Sequence, residues 1–353
     1  LAAVTQLPDH VLGAMIGRQL PFVAILLPFY AIAIYGGRRA LRGVWPALLV
    51  AGTSFGLAQF VTSNYLGYML TDVISSLSSL LVTFLFLKIW KMPVDSEYAL
   101  AVPVTGAARS SIPSWQGWLP WLVLAATVIV WIHLGINLVG EWKIPWPGLH
   151  EAVFITTYGK PYAAVWSFQP LAAGTAILVS GLLTAIMLRM TLAQYLQAVR
   201  QAALQVRIPA LTTALIVGLA YLMNYSGMTY TLGVAAASVG PLFPLLSAFL
   251  GWLAVFLTGS DTAGNALFGN LQVVAAKQLD LSPVLMAATN SSGGVMGKMI
   301  SPQNITTGAA VTELKGREGE VLARTFKHSI ILTFLLGLLV MAQQYLFPGI
   351  IPQ

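Results

Sequence analysis

The chain has 353 residues, 57% of them hydrophobic and only 8% charged, with a net charge of +7 and no cysteine. A soluble domain carries roughly 25% charged residues, so this chain cannot wet a globular surface, and lipid tails must be the solvent for most of it. A sequence without cysteine excludes a disulfide framework and thiolate-ligated metal, and scattered basic residues exclude the one-sided cluster that a nucleic-acid surface needs.

Apolar runs near the length needed to cross a bilayer fall at 20–35, 44–60, 65–87, 119–139, 170–188 and 208–225. They continue at 241–258, in a broken stretch over 283–312, and at 329–347. Trp45, Trp90, Trp118, Trp121, Trp142 and Trp146 stand at the ends of these runs, where amphipathic rings settle at the headgroups. Two polar, proline-containing loops interrupt them, 91–117 and 141–169, neither with an evident soluble fold. Over 191–207, Leu192, Tyr195, Leu196, Val199, Ala203 and Val206 recur at helical spacing opposite Gln and Arg, which predicts an amphipathic surface helix before the next span.

Basic residues set the orientation. With Arg38, Arg39 and Arg42 in the cytoplasm, alternate crossings also place Lys88, Lys91, Arg109, Arg189, Arg200 and Arg207 inside. Lys315, Arg317, Arg324 and Lys327 join them only if 241–280 enters and leaves from the outer side as a re-entrant hairpin. The expectation is thus an all-α polytopic membrane protein: one transmembrane domain over 1–353, about eight crossings including a broken one, plus the hairpin. The 91–117 loop is cytoplasmic, the 141–169 loop external and the C-terminus periplasmic.

Ionisable groups at membrane depth are costly and usually face a cavity or a partner. Three qualify: Asp72, Asp261 and Lys298. Asp261 lies in Thr258-Gly-Ser-Asp-Thr-Ala-Gly-Asn265, a polar segment between two apolar runs, which suits a hairpin tip inside protein. There a helix start presents free N–H groups and a positive dipole end. The second interruption runs Asn290-Ser-Ser-Gly-Gly-Val-Met-Gly-Lys-Met-Ile-Ser-Pro-Gln-Asn304. Its glycines Gly293, Gly294 and Gly297 permit unwinding, Pro302 breaks the hydrogen-bond ladder, and Lys298 adds a positive charge. Two such interruptions close together point to a transporter's binding site. Blander readings stand beside this one. Asp261 can be a helix cap, Lys298 can pair with Asp261 as a structural bridge, and Asp72, with Ser63 and Asn64 nearby, can be a cap or interface residue. His133 stands alone in an apolar helix, as packing histidines do. No HExxH or Walker A pattern appears, so neither an enzyme nor a cofactor or metal is expected.

Phe256-Leu-Thr-Gly-Ser-Asp-Thr262, Asn265-Ala-Leu-Phe268 and Gly293-Gly-Val-Met-Gly-Lys-Met-Ile-Ser-Pro-Gln303 resemble signatures of the bacterial lactate permease family. Gly17-Arg-Gln-Leu-Pro21, Asp72-Val-Ile-Ser-Ser76 and Phe326-Lys-His-Ser329 are similar to that family too, so the resemblance runs along essentially the whole chain. It implies proton-coupled uptake of L-lactate, D-lactate and glycolate across the bacterial inner membrane. It also implies a larger protein, whose further N-terminal portion carries a pseudo-symmetric hairpin and broken helix and completes the midplane site.

On this resemblance the partners are small monocarboxylates, protons, the lipid bilayer and the N-terminal portion of the same protein. The substrate carboxylate is expected near the hairpin tip and the 293–301 segment. Lys298 offsets its charge, backbone N–H groups at Gly293 and Gly294 orient it, and Ser260, Asn290, Ser291, Ser292 and Ser301 add polar contacts. Asp261 is the expected proton carrier, with Asp72, Asn265 and Gln303 as further possibilities. A sodium-coupled carboxylate carrier and a non-transporting membrane scaffold are the alternatives that the residues leave open.

Overall fold

The computed structural model describes residues 1–91, 114–155, 160–310, 314 and 316–353. Arg109 and Lys315, and most of the 91–117 loop, lie outside the described residues. The chain divides into two compact units, Leu1–Phe86 with Pro209–Gln353, and Leu87–Ile208.

The first unit begins with short helices α1 (Ala2–Thr5) and α2 (Asp9–Ile16), then a long helical stretch, α3 (Leu20–Val61). Two spans were expected there, and α3 contains both. Its backbone leaves helical geometry at Gly37 (φ 63°, ψ −162°), a conformation that costs a residue without a Cβ far less than any other. Beyond this point the chain folds back. Gly52 and Gly56 lie against the backbone of Ile25 and Pro21, so the two arms run antiparallel at backbone contact. A π-helical turn (Thr62–Leu66) and a 3-10 turn (Tyr68–Leu70) lead into α4 (Thr71–Ile89). Ser79 on α4 donates to the Ala51 carbonyl of α3 at 3.0 Å.

In the second unit, α5 (Ser114–His133) and α6 (Ala173–Met187) pack against each other, and the Trp131 indole donates to the Leu171 carbonyl at 2.9 Å. Between them the sequence suggested no fold. The structure has two nested antiparallel ribbons, β1 (Trp142–Pro145) with β4 (Val165–Phe168) and β2 (Phe154–Ile155) with β3 (Lys160–Pro161). Aromatic side chains account for the pairing: Trp142 lies opposite Phe168, and their rings stand 6.3 Å apart. The amphipathic segment 191–207 and the span 208–225 form one continuous helix, α7 (Leu192–Tyr225).

The chain then returns to the first unit. Helix α8 (Met228–Ala237), which hydropathy did not single out, precedes α9 (Phe243–Thr258), α10 (Asp261–Gln278), α11 (Pro283–Lys298), α12 (Pro302–Ala310) and α13 (Glu318–Tyr345). Helices α9, α10, α11 and α13 form the packed heart of this unit, with α2 and α8 against it. Phe243, Ala248, Leu285, Met286, Leu336 and Val340 are buried together there. Six helical stretches among the described residues are long and apolar enough to cross a membrane. Their outward faces carry leucines such as Leu57, Leu178 and Leu215, each more than half exposed, the surface that lipid tails favour. The fold is that of an all-α polytopic membrane protein, the small ribbons aside.

Candidate functional site

Helices α9 and α10 are joined by two residues. Gly259 takes the left-handed conformation that closes α9 (φ 67°), and the Ser260 hydroxyl caps α10 by accepting from the Ala263 N–H at 3.4 Å. The Thr258 hydroxyl donates to the Ser260 carbonyl at 3.0 Å and tightens the turn. The cap is therefore Ser260, and a purely capping role for Asp261 is excluded. Asp261, the first helical residue, turns its carboxylate toward α11. Its Oδ2 accepts from the Ser291 hydroxyl at 2.8 Å and from the Asn265 amide at 2.9 Å.

From Asp261 a hydrogen-bonded chain runs into the protein. The Asn265 amide also donates to Ser291 at 3.2 Å. Asn290 donates to Asn265 Oδ1 at 2.9 Å, and its own Oδ1 accepts from Gln272 at 2.8 Å. Gln272 also donates to the Ser247 carbonyl at 3.0 Å and accepts from the Ser247 hydroxyl. Asn265, Gln272, Asn290 and Ser291 are all buried. Desolvated amides of this kind persist only when paired. One atom is not: among the described residues, Asp261 Oδ1 is buried without a hydrogen-bond partner. It faces Gly294, where a Cβ would crowd it.

The glycines of 290–304 act differently from expectation. Helix α11 runs without interruption from Pro283 to Lys298, so the N–H groups of Gly293 and Gly294 sit within a helix and the expected unwinding there does not occur. A Cβ on Gly293 would strike the Ala248 carbonyl, one on Gly297 the Trp252 carbonyl, and one on Gly251 the Asn290 carbonyl. These glycines let α9 and α11 meet backbone to backbone, as small residues do in membrane helix pairs. The break falls later, at 299–301. Ser301 is buried there, its hydroxyl accepting from the Asn304 amide at 2.7 Å, and Pro302 opens α12. The Gln303 side chain packs on Gly259, so the break adjoins the hairpin tip.

Lys298 ends α11 and is exposed, beside a cavity of about 330 Å³ that Met299, Asn304, Ile305 and Gly308 also line. Among the described residues no ion pair joins it to Asp261, which removes the structural-bridge reading, although its charge acts on Asp261 across the gap. Asp72 is exposed in the first turn of α4 and does not join the cluster. His133 is exposed at the end of α5.

Ser292, which the sequence placed in the same site, belongs to a second buried cluster. Its hydroxyl donates to Gln19 Oε1 at 2.7 Å, and the Gln19 amide donates to Thr289 at 2.9 Å and to Gln343 Oε1 at 3.4 Å. Gln19, Thr289 and Gln343 were not anticipated, nor were Ser247 and Gln272. Their signal was a polar side chain within or beside an apolar run.

A helix hairpin whose tip carries a buried carboxylate and adjoins a helix break, inside a bundle with lipid-suited outer faces, defines a polytopic membrane protein with a polar site at its core. Comparison with known proteins supplies the family. The L-lactate permease family matches over residues 1–347, and the chain belongs to it. It is 39% identical over 375 residues to the glycolate permease GlcA of Escherichia coli (strain K12), covering 98% of this chain and 66% of that protein. It is 38% identical over 372 residues to the L-lactate permease of the same strain, covering 99% and 67%. The L-lactate permease of Bacillus subtilis (strain 168) is 37% identical over 380 residues, covering 99% and 68%. The chain thus spans about two thirds of the length of these relatives. No solved structure matches it.

Proposed function

We propose that this protein works as a secondary carrier that takes up L-lactate, and also D-lactate and glycolate, together with protons across the bacterial inner membrane. The relatives are named as lactate and glycolate permeases. The observation that carries the reading is the Asp261 carboxylate, held at the hairpin tip with one oxygen engaged and the other buried and unpartnered. A carboxyl so placed can take up a proton on the free oxygen while its other oxygen keeps the residue in position.

The substrate carboxylate binds where the tip adjoins the break, with Lys298 as counter-charge and Ser260, Ser301 and Gln303 within the same surroundings. Asn290, Ser291 and Asn265 hold Asp261 in register behind it. The 241–280 hairpin is re-entrant, and the C-terminus lies in the periplasm. Alternating access moves the hairpin and the α11–α12 break against the surrounding helices.

The test is uptake of labelled L-lactate into proteoliposomes of the complete natural polypeptide under an imposed pH gradient. Accumulation that a protonophore abolishes supports proton symport. Accumulation that follows a sodium gradient and ignores pH replaces the proton with sodium. No uptake by correctly inserted protein removes the transport reading.

A further inference from the structure

Helix α11 carries four consecutive buried polar residues, Thr289, Asn290, Ser291 and Ser292. At about 100° per residue, Thr289 and Ser292 share one face and Asn290 and Ser291 point away from it. The hydrogen bonds follow this division. Asn290 and Ser291 reach the Asp261 chain on α10. Thr289 and Ser292 reach a single side chain on the other side, Gln19. Gln19 stands at the N-terminal end of α3, just after the Gly17–Arg18 turn that separates α2 from α3, and it is fully buried. Its carbonyl accepts from Ser292 and its amide donates to Thr289, so both ends of the side chain grip α11. Gln343 of α13 anchors it in turn, accepting from the Gln19 amide and donating to the Arg18 carbonyl at 2.9 Å.

We infer that Gln19 is a positioning residue for the carrier site: it fixes the rotation of α11 about its axis and thereby aims Ser291 and Asn290 at Asp261. The inference rests on the transport reading for its functional consequence, but its structural part does not. Three features single out Gln19. An apolar side chain of similar shape costs a bilayer-spanning bundle nothing in desolvation, yet the position holds an amide with both its groups engaged. The glycine contacts of Gly293 and Gly297 with α9 set how close α11 comes, whereas a smooth glycine surface resists rotation poorly, which leaves that task to directional hydrogen bonds. Lastly, Gln19 sits where the backbone passes from α2 to α3, so it adds a directional hydrogen-bonded link to α11 beside the apolar packing of α2 on that helix.

The experiment uses the complete natural polypeptide, kept free of other cysteines, in two parallel readouts. In the first, Ser291→Cys is labelled with a methanethiosulfonate reagent, with Gln19 intact and with Gln19→Met. Loss of the Gln19 grip should raise the labelling rate about tenfold or more, the effect of removing one or two buried hydrogen bonds. Equal rates in two well-folded proteins overturn the inference, whatever the substrate proves to be. In the second, uptake of labelled L-lactate is measured for Gln19→Met, Ser291→Ala and the double variant. The inference expects Gln19→Met to raise the half-saturation concentration, with a double variant no worse than the poorer single one. A change in maximal rate alone, in proportion to the amount of inserted protein, or strictly additive effects, assigns Gln19 a purely structural role. An inactive parent protein refutes the transport reading and leaves the labelling result to decide the placement of α11.

Discussion

The two compact units use the same small residue to opposite ends. In the first, Gly251, Gly293 and Gly297 each lie against a backbone carbonyl of the neighbouring helix, and no side chain fits. In the second, a Cβ on Gly174 or Gly181 of α6 would meet nothing within 4 Å among the described residues, and the helix there shows lipid-suited leucines instead. Polar groups divide the same way. The buried chain of Asp261, Asn265, Asn290, Gln272 and Ser247 belongs to the first unit, and among the described residues the second unit's helix contacts are apolar apart from isolated bonds such as Trp131 to Leu171. Helices α10 and α11, poor in apolar residues, are the most buried, whereas the apolar helices α5 and α6 face largely outward; the apolar α9 is packed beside α10 and α11. That inversion of the soluble-protein rule marks where the chemistry lies, because a membrane removes the penalty for exposed leucine and keeps the penalty for unpaired amides.

The contrast can be broken at several points. The largest effect is expected for Asp261→Asn, which should abolish accumulation of lactate against its gradient in proteoliposomes while downhill exchange persists; continued accumulation would assign the proton to another group. Gly293→Ala should cost about 1–3 kcal/mol by forcing α9 and α11 apart, read from thermal unfolding in detergent. Gly181→Ala, the same change in the second unit, should instead be neutral or stabilise by up to ~1 kcal/mol through helix propensity. A loss at Gly181 as large as that at Gly293 would erase the distinction between the units. Asn290→Leu should cost about 1–3 kcal/mol, since it leaves one Gln272 N–H and Asn265 Oδ1 without their Asn290 partner in a dry interior. Trp252→Phe should cost about 1 kcal/mol, the loss of a single donated bond to Ser329 at 2.7 Å. Leu178→Ala, on an exposed face, should stay within about 0.5 kcal/mol.

Much of the outline was legible because hydropathy and charge respond to the solvent, and here the solvent is a bilayer. The apolar runs at 20–35 and 44–60 proved to be the antiparallel arms of α3, and the polar interruption at 258–265 proved to be a helix–turn–helix tip. Pro302, expected to break the ladder, instead opens α12 just after a break at 299–301. The glycines misled. Read along the chain, Gly293, Gly294 and Gly297 suggest a loosened backbone, whereas they tighten a helix pair, because a glycine's permission to unwind and its permission to approach closely look the same in one dimension. The ribbons within 141–169 were invisible for a related reason: each strand is too short to show a two-residue period, and only the partner strand makes it one.

The sequence alone determined that this chain belongs in a membrane, which segments are apolar enough to suit one, and that Asp261 and Lys298 are expensive enough there to require a reason. Tertiary structure alone decided which groups meet. It separated Lys298 from Asp261, withdrew Ser292 from one cluster into another, and brought Gln19 from 270 residues away to Thr289. Solvent transfer is a property of each residue and can be summed along a chain. A buried hydrogen bond belongs to a pair, and only the packing of α9, α10, α11 and α13 says who the partner is.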